Sequence, residues 1–144
     1  MVTRGGSEDD PDITVFMGTN DGFIYGINGA DGRELFGFIP DELLGNLKTL
    51  EANVAPWSSR PYGMDGPLVA VDDRSSGSQE VTLIAGMRRG GRSYYALDVT
   101  ENTPTLNWSI KGGTDTGFDE LGQSWSVPVL SLIHISEPTR PLYI

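Results

Sequence analysis

"GTNDGFIYGINGADGRELFGF" runs from Gly18 to Phe38, and its punctuation decides the fold. Within the turn Thr19-Asn20-Asp21-Gly22, Asn20-Asp21-Gly22 supplies residues that tolerate positive φ, as tight hairpin turns require. Upstream, Ile13, Val15 and Met17 alternate with Thr14 and Phe16, a period near two. Downstream, Phe23 to Ile27 is a nearly continuous apolar run, which fits a strand covered on both faces. Asp31-Gly32 turns the chain again, and Leu35-Phe36-Gly37-Phe38 completes a meander.

The same grammar returns in "VTLIAGMRRGGRSYYALDVTENTPTLNWSI" from Val81. Gly18 answers Gly86, Tyr25 answers Tyr95, Ile27 answers Leu97 and Phe36 answers Trp108. The glycine-to-tyrosine spacing is 7 and then 9 residues, and the tyrosine-to-aromatic spacing 11 and then 13. Strands are expected at Val81–Ala85, Ser93–Val99 and Leu106–Ile110, with Pro104 in a loop where its missing N–H is harmless. A repeat of short antiparallel meanders predicts an all-β chain of propeller blades, which bury their faces on one another. The alternative is an ordinary β-sandwich. A blade takes roughly 40 to 50 residues, so 144 residues hold two to three blades of a partial propeller.

Between the copies, "PDELLGNLKTLEAN" (Pro40–Asn53) places Leu43, Leu44, Leu47 and Leu50 on one helical face. One short inserted helix is therefore expected, with Asp41 and Glu42 suited to its positive end. Met64-Asp65-Gly66-Pro67 reads as a turn, Leu68–Val71 as a short strand and Asp72–Gln79 as a polar loop.

Composition limits function. Twenty acidic against ten basic residues give a net charge of -10, which repels phosphate backbones and argues against nucleic-acid binding. Arg88, Arg89 and Arg92 are a local exception, read as a solvated loop. With no cysteine there is no thiolate nucleophile, cysteine metal site or disulfide. No run is long and apolar enough to form a membrane-crossing helix. No G-x-S-x-G occurs, so serine nucleophile catalysis has no support. Asn20-Asp21-Gly22 has too few oxygens for calcium, and Asp65 with Asp72-Asp73 reads as a turn cap and solvated loop. No catalytic, cofactor-binding or metal-ligating residue is assigned.

The ends read differently from the middle. Residues 1–12 are expected to be a disordered acidic segment, with no signal peptide at Met1. "LSLIHISEPTR" (Leu130–Arg140) matches one translated frame of a transposase-type sequencing adapter, so 130–144 is expected to be an unstructured, adapter-derived tail. The lone histidine, His134, lies in that tail and supports no mechanism. Residues 13–129 are then the folded part of an interior piece of a longer protein.

Those residues resemble the β-propeller domain of the PilC/PilY family of type IV pilus biogenesis and tip-associated proteins. The resemblance is carried by Val15–Pro40 followed by Leu43–Leu50, and by Tyr62, Asp65, Gly66, Pro67 and Asp72. It continues through "GGRSYYALDVT" (Gly90–Thr100) with Pro104, Leu106 and Trp108, and ends on "LGQSWSVPV" (Leu121–Val129). The chain departs from the family pattern at Ser59-Arg60-Pro61, where a histidine is expected, and at Gln79-Glu80, where a tryptophan is common. The resemblance implies a bacterial, exported protein of the pilus and cell surface. Its implied role is structural and adhesin-like, without catalysis. Implied partners are minor pilins and a host-surface ligand, and calcium binds some family members. Two alternatives share the blade motif: a pyrroloquinoline-quinone dehydrogenase fragment and an outer-membrane assembly scaffold.

Overall fold

A computed structural model describes residues 1–53, 58 and 60–129. The first sheet comprises β1 (Val2–Gly6), β2 (Pro11–Gly18), β3 (Ile24–Asn28) and β4 (Glu34–Phe38) in that order. The second comprises β5 (Leu68–Asp73), β6 (Glu80–Gly86), β7 (Tyr94–Asp98) and β8 (Thr105–Ile110). Every neighbouring pair is antiparallel. Between the sheets lie a 3₁₀ turn (Asp41–Asn46) and one short helix, α1 (Leu47–Ala52).

The two sheets are copies in register as well as in order. Met17 pairs Tyr25 as Ala85 pairs Tyr95, and Val15 pairs Ile27 as Leu83 pairs Leu97. Gly26 faces Phe36 as Ala96 faces Trp108, with an irregularity at the next residue in both sheets. The turn after the third strand is repeated too. Asn28 Oδ1 accepts from Ala30 N at 2.8 Å, and Asp98 Oδ1 accepts from Thr100 N at 2.9 Å. All four correspondences read from the sequence are therefore structural equivalences.

Each sheet has four strands where the sequence pattern showed three. The short strand at Leu68 is the first strand of the second sheet, and it runs on to Asp73. Its counterpart is β1, which corrects the expectation of disorder over residues 1–12. Val2 pairs Thr14 and Thr3 pairs Ile13, as Val71 pairs Thr82 and Asp72 pairs Val81. The acidic run is the hairpin turn: Ser7 N donates to Asp10 O at 3.0 Å, and Ser7 Oγ accepts from Asp10 N at 3.1 Å. Arg4 fixes the strand from a distance. Its Nε donates to Thr14 Oγ1 at 2.7 Å, and Nη1 donates to Val99 O and Glu101 O at 3.0 and 2.8 Å. Composition signals disorder here because the ties that order an edge strand lie outside it.

The core lies between the sheets. The first sheet contributes Phe16, Ile24, Phe36 and Phe38; the second contributes Leu68, Ala70, Val81, Leu83, Ala85, Tyr95 and Leu97. Phe38 and Tyr95 meet across the interface with ring centroids 6.2 Å apart. Burial of such surface stabilises by about 25 cal/mol per Å². The register shows that these are opposite faces of equivalent sheets. The positions matching Phe16, Gly26 and Phe36 are Ile84, Ala96 and Trp108, which lie on the second sheet's outer face. Trp108 is 40% exposed there. The positions matching Leu83 and Ala85 are Val15 and Met17, which are 37% and 46% exposed. The sheets thus stack head to tail, the relation of neighbouring propeller blades.

The expected leucine face does not form as one stripe. Leu43 is 3% exposed and Leu44 50%, because the tighter 3₁₀ turn rotates successive residues differently from an α-helix. Leu43 packs at Gly22, where a Cβ would lie 3.0 Å from its Cδ1. The acids suited to a helix start make tertiary bonds instead. Tyr95 donates its hydroxyl to Glu42, and Lys111 Nζ donates to Asp41 Oδ1 at 3.0 Å. The first of these bonds, added to burial, raises the Tyr95 phenol far above its ordinary value.

Candidate functional site

Chemically varied side chains gather at one end of the two sheets, around the β2–β3 and β6–β7 hairpins. The segment Tyr62–Pro67 crosses there, and glycines admit it. A Cβ on Gly18 would lie 2.7 Å from Met64 O, and one on Gly66 would lie 2.2 Å from Gly86 O. A Cβ on Gly90 would lie 1.8 Å from Gly63 O. Met64 N donates to Thr19 O at 3.2 Å, tying the segment to the first hairpin. These glycines provide close backbone approach, a role that repeat spacing alone does not reveal.

A second crossing follows the second sheet. Ser124 N donates to Gly91 O at 3.3 Å, and a Cβ on Gly86 would lie 3.2 Å from Ser124 O. Ser124 therefore stands to the second sheet as Met64 stands to the first. Its side chain is buried and does further work. Ser124 Oγ accepts from Met87 N at 2.8 Å and from Arg88 N at 3.0 Å. This clamp holds Arg88 at φ 51°, the left-handed region that non-glycine residues seldom occupy.

The arginines are more than a solvated loop. Arg89 Nε donates to Asp65 Oδ2 at 2.6 Å and Nη2 donates to Oδ1 at 3.2 Å, a two-pronged ion pair. Arg89 Nη1 also donates to Tyr62 Oη at 3.0 Å, and the guanidinium lies 4.0 Å from the Tyr62 ring centroid. The hydrogen bond from Arg89 holds the Asp65 carboxyl below its ordinary value, against the opposing effect of burial. Arg88 lies over the Trp125 ring, 4.7 Å from its centroid. One cleft beside this strip is lined by Asp65, Gly66, Pro67, Arg88, Trp125 and Val127. Another is lined by Asn20, Asp21, Leu50, Arg60, Pro61 and Tyr62.

The acidic residues considered for calcium are not brought together. Asp21 is hydrogen-bonded to Thr19 within the hairpin, where Gly22 takes φ 105°. Asp65 is engaged by Arg89. Asp72 and Asp73 sit at the far end of β5, where Asp72 accepts from Arg74 and Gln79, and Asp73 caps Ser75 N at 2.8 Å. Among the described residues no three His, Asp or Glu side chains converge to hold a metal ion. The described residues do not fit calcium, and no chemistry is derived through it. What the strip presents is guanidinium donors, aromatic faces and an apolar wall. Sequence reading missed the Arg89–Asp65 pair and the Ser124 clamp, whose partners lie 24 and 36 to 37 residues apart. The local signal was the punctuation at Asp65-Gly66-Pro67 and Gly122-Gln123-Ser124.

Comparison with known proteins agrees with the repeat. Residues 6–131 match the PilY1 beta-propeller domain family. The type IV pilus biogenesis factor PilY1 of Pseudomonas aeruginosa strain PAO1 is 35% identical over 121 residues, covering 83% of this chain and 10% of that protein. A PilY1 homolog of Xylella fastidiosa is 33% identical over 120 residues, covering 81% of this chain and 9% of the relative. This chain thus spans about a tenth of the length of the curated relatives it matches. The crystal structure of the P. aeruginosa PilY1 C-terminal domain aligns with 68% of this chain and 18% of its own, at 32% identity and a TM-score of 0.47. With the family match running through both four-stranded sheets, the chain belongs to the PilY1 β-propeller domain family, of which it forms a partial propeller.

Proposed function

We propose that this chain is a structural and binding part of a type IV pilus biogenesis factor, exported to the bacterial cell surface and acting at the pilus. Its partners on this reading are pilus components, the minor pilins, and a host-surface ligand; it carries out no reaction of its own. The observation that carries the reading is the pair of in-register sheets stacked head to tail, in a chain whose relatives are named pilus biogenesis factors. Sheets stacked in this way make a rigid scaffold, and the loops at their ends are free to recognise partners. The relatives' description favours this reading over a quinone dehydrogenase or an outer-membrane assembly scaffold.

A chimera tests it. The matching segment of P. aeruginosa PilY1 is replaced by residues 2–129 of this chain, so that β1 is kept, and surface pili and twitching motility are measured. The expected result is pili at a level well above a strain lacking the factor. A chimera that is produced and exported but leaves the cells bald would overturn the proposal.

A further inference from the structure

We propose that the cleft between Arg88, Trp125 and Pro67 is a docking site for a carboxylate-bearing peptide segment of a partner protein, one acidic side chain flanked by aliphatic ones. This goes beyond the pilus reading and does not depend on it. The acceptor chemistry comes from Arg88. Its neighbour Arg89 is committed elsewhere: both carboxylate oxygens of Asp65 and the Tyr62 hydroxyl take three of its five N–H donors. Asp65 is near enough for Arg88 to help hold it ionised, but both of its oxygens are taken by Arg89. Among the described residues Arg88 makes no direct ion pair, and its guanidinium lies over the Trp125 ring. Its planar fork of donors is therefore free to take a carboxylate.

The site is also built rather than incidental. Arg88 is exposed, yet its backbone is held in a left-handed conformation by two hydrogen bonds to the buried Ser124 hydroxyl. A strained loop residue maintained by a buried polar clamp is a marker of function. Stacking on Trp125 then orders the long arginine side chain before any ligand arrives, which lowers the entropic cost of binding.

The rest of the cleft selects the occupant. Pro67, Val127 and the indole of Trp125, which is 51% exposed, make an apolar wall beside the guanidinium. Aliphatic side chains next to a carboxylate fit that wall. A sugar or base seeking to stack on Trp125 meets Arg88 already over the ring. The net charge of -10 and the Asp65 carboxylate within the cleft repel anions in proportion to their charge, most of all polyanions and doubly charged phosphate. A single carboxylate flanked by aliphatic groups uses the fork and the wall with the least of that repulsion.

The test uses the whole 144-residue chain and N-acetyl-Leu-Asp-Leu amide, followed by the NMR shift of the Trp125 indole N–H. Trp125→Phe assigns that signal. Saturable binding of the aspartate peptide is expected, with the asparagine analogue at least about tenfold weaker, the size of a charge-assisted hydrogen bond. Arg88→Ala weakens binding to a similar extent, Arg88→Lys restores part of it, and Arg74→Ala, a surface arginine at the far end of β5, changes nothing. Unchanged backbone shifts at Met87 and Gly91 show that the loop survives each substitution. Equal binding of the asparagine analogue, an equal loss in Arg74→Ala, or displacement by inorganic phosphate at concentrations below the peptide's own would overturn the proposal.

Discussion

Gly26→Ala adds one methyl group at the centre of the first sheet, and the structure fixes what it meets. A Cβ built there lies 2.4 Å from Phe36 Cε1 and 2.8 Å from both Cδ1 and Cζ. The ring has little room to retreat. It is 8% exposed, packed in the core between the sheets, with the Phe16 ring 6.2 Å away. Overpacking of this kind costs about 1–3 kcal/mol. Against it stands the gain from replacing a strand glycine, about 0.5–1 kcal/mol. The net expectation is a loss of about 1–2 kcal/mol. The second sheet provides the internal control, because Ala96 holds a methyl at the equivalent position opposite Trp108. Urea unfolding of four proteins at low micromolar concentration decides the matter: the parent, Gly26→Ala, Phe36→Leu and the double variant. With the aromatic ring gone, Gly26→Ala is expected to be neutral or stabilising. The same loss in both backgrounds would show that the ring is not what excludes the methyl, and the packing argument would fail.

Further outcomes follow from other contacts. Arg89→Gln should raise the Asp65 carboxyl from its depressed value, since the hydrogen bond that lowers it is lost while burial, which raises it, remains. Because the paired carboxyl titrates below its unfolded value, its contribution is present above that value and lost as pH falls through the folded one. Arg89→Gln should therefore move acid unfolding to higher pH, read by carboxyl ¹³C titration and circular dichroism; an unmoved Asp65 titration refutes the ion pair. Ser124→Ala leaves two loop N–H groups without their acceptor and should cost about 1–3 kcal/mol in thermal unfolding. Part of that cost should disappear in an Arg88→Gly background, since glycine takes φ 51° freely; an identical cost in both would refute the clamp. Covering the remaining 40% of Trp108, about 100 Å² of a large indole, is worth about 2.5 kcal/mol, less than association costs, so the chain alone should self-associate only weakly and at high concentration. Trp108→Lys should shift its sedimentation toward monomer, and a parent already monodisperse at high concentration would contradict this.

What could be read from the sequence was local. Asn20-Asp21-Gly22 and Asp31-Gly32 marked turns because few residues tolerate positive φ, and Gly22 and Gly32 do take φ 105° and 75°. Alternation from Ile13 to Met17 marked a strand because side chains in a sheet have period two. Matching such marks between two stretches gave the repeat and four equivalent positions, and the register agrees with them. β1 stayed hidden, since Arg4 finds its partners at Val99 to Asn102, 95 to 98 residues away. The arginine strip stayed hidden for the same reason. Arg88 and Arg89 look alike in the chain, and only the fold gives one Asp65 and the other Trp125. Leucine spacing misled at Leu44 because a 3₁₀ turn and an α-helix share the same residues but not the same periodicity. The expected tail over 130–144 lies outside the described residues.

The crossing at Ser124 has a consequence for how the protein is made. The last strand of the second sheet ends at Ile110, yet the hairpin of that sheet is locked by a hydroxyl fourteen residues later. In the same way the first hairpin is tied by Met64, well after β4 has ended at Phe38. Each sheet is finished by residues that follow its last strand in the chain. During synthesis a sheet cannot lock until those residues have left the ribosome, so consolidation trails translation by a fraction of a repeat. Ordering of the units is thereby vectorial: each newly made stretch completes the one before it, and a ribosome that stalls shortly after Ile110 would release a sheet with its β6–β7 loop still open.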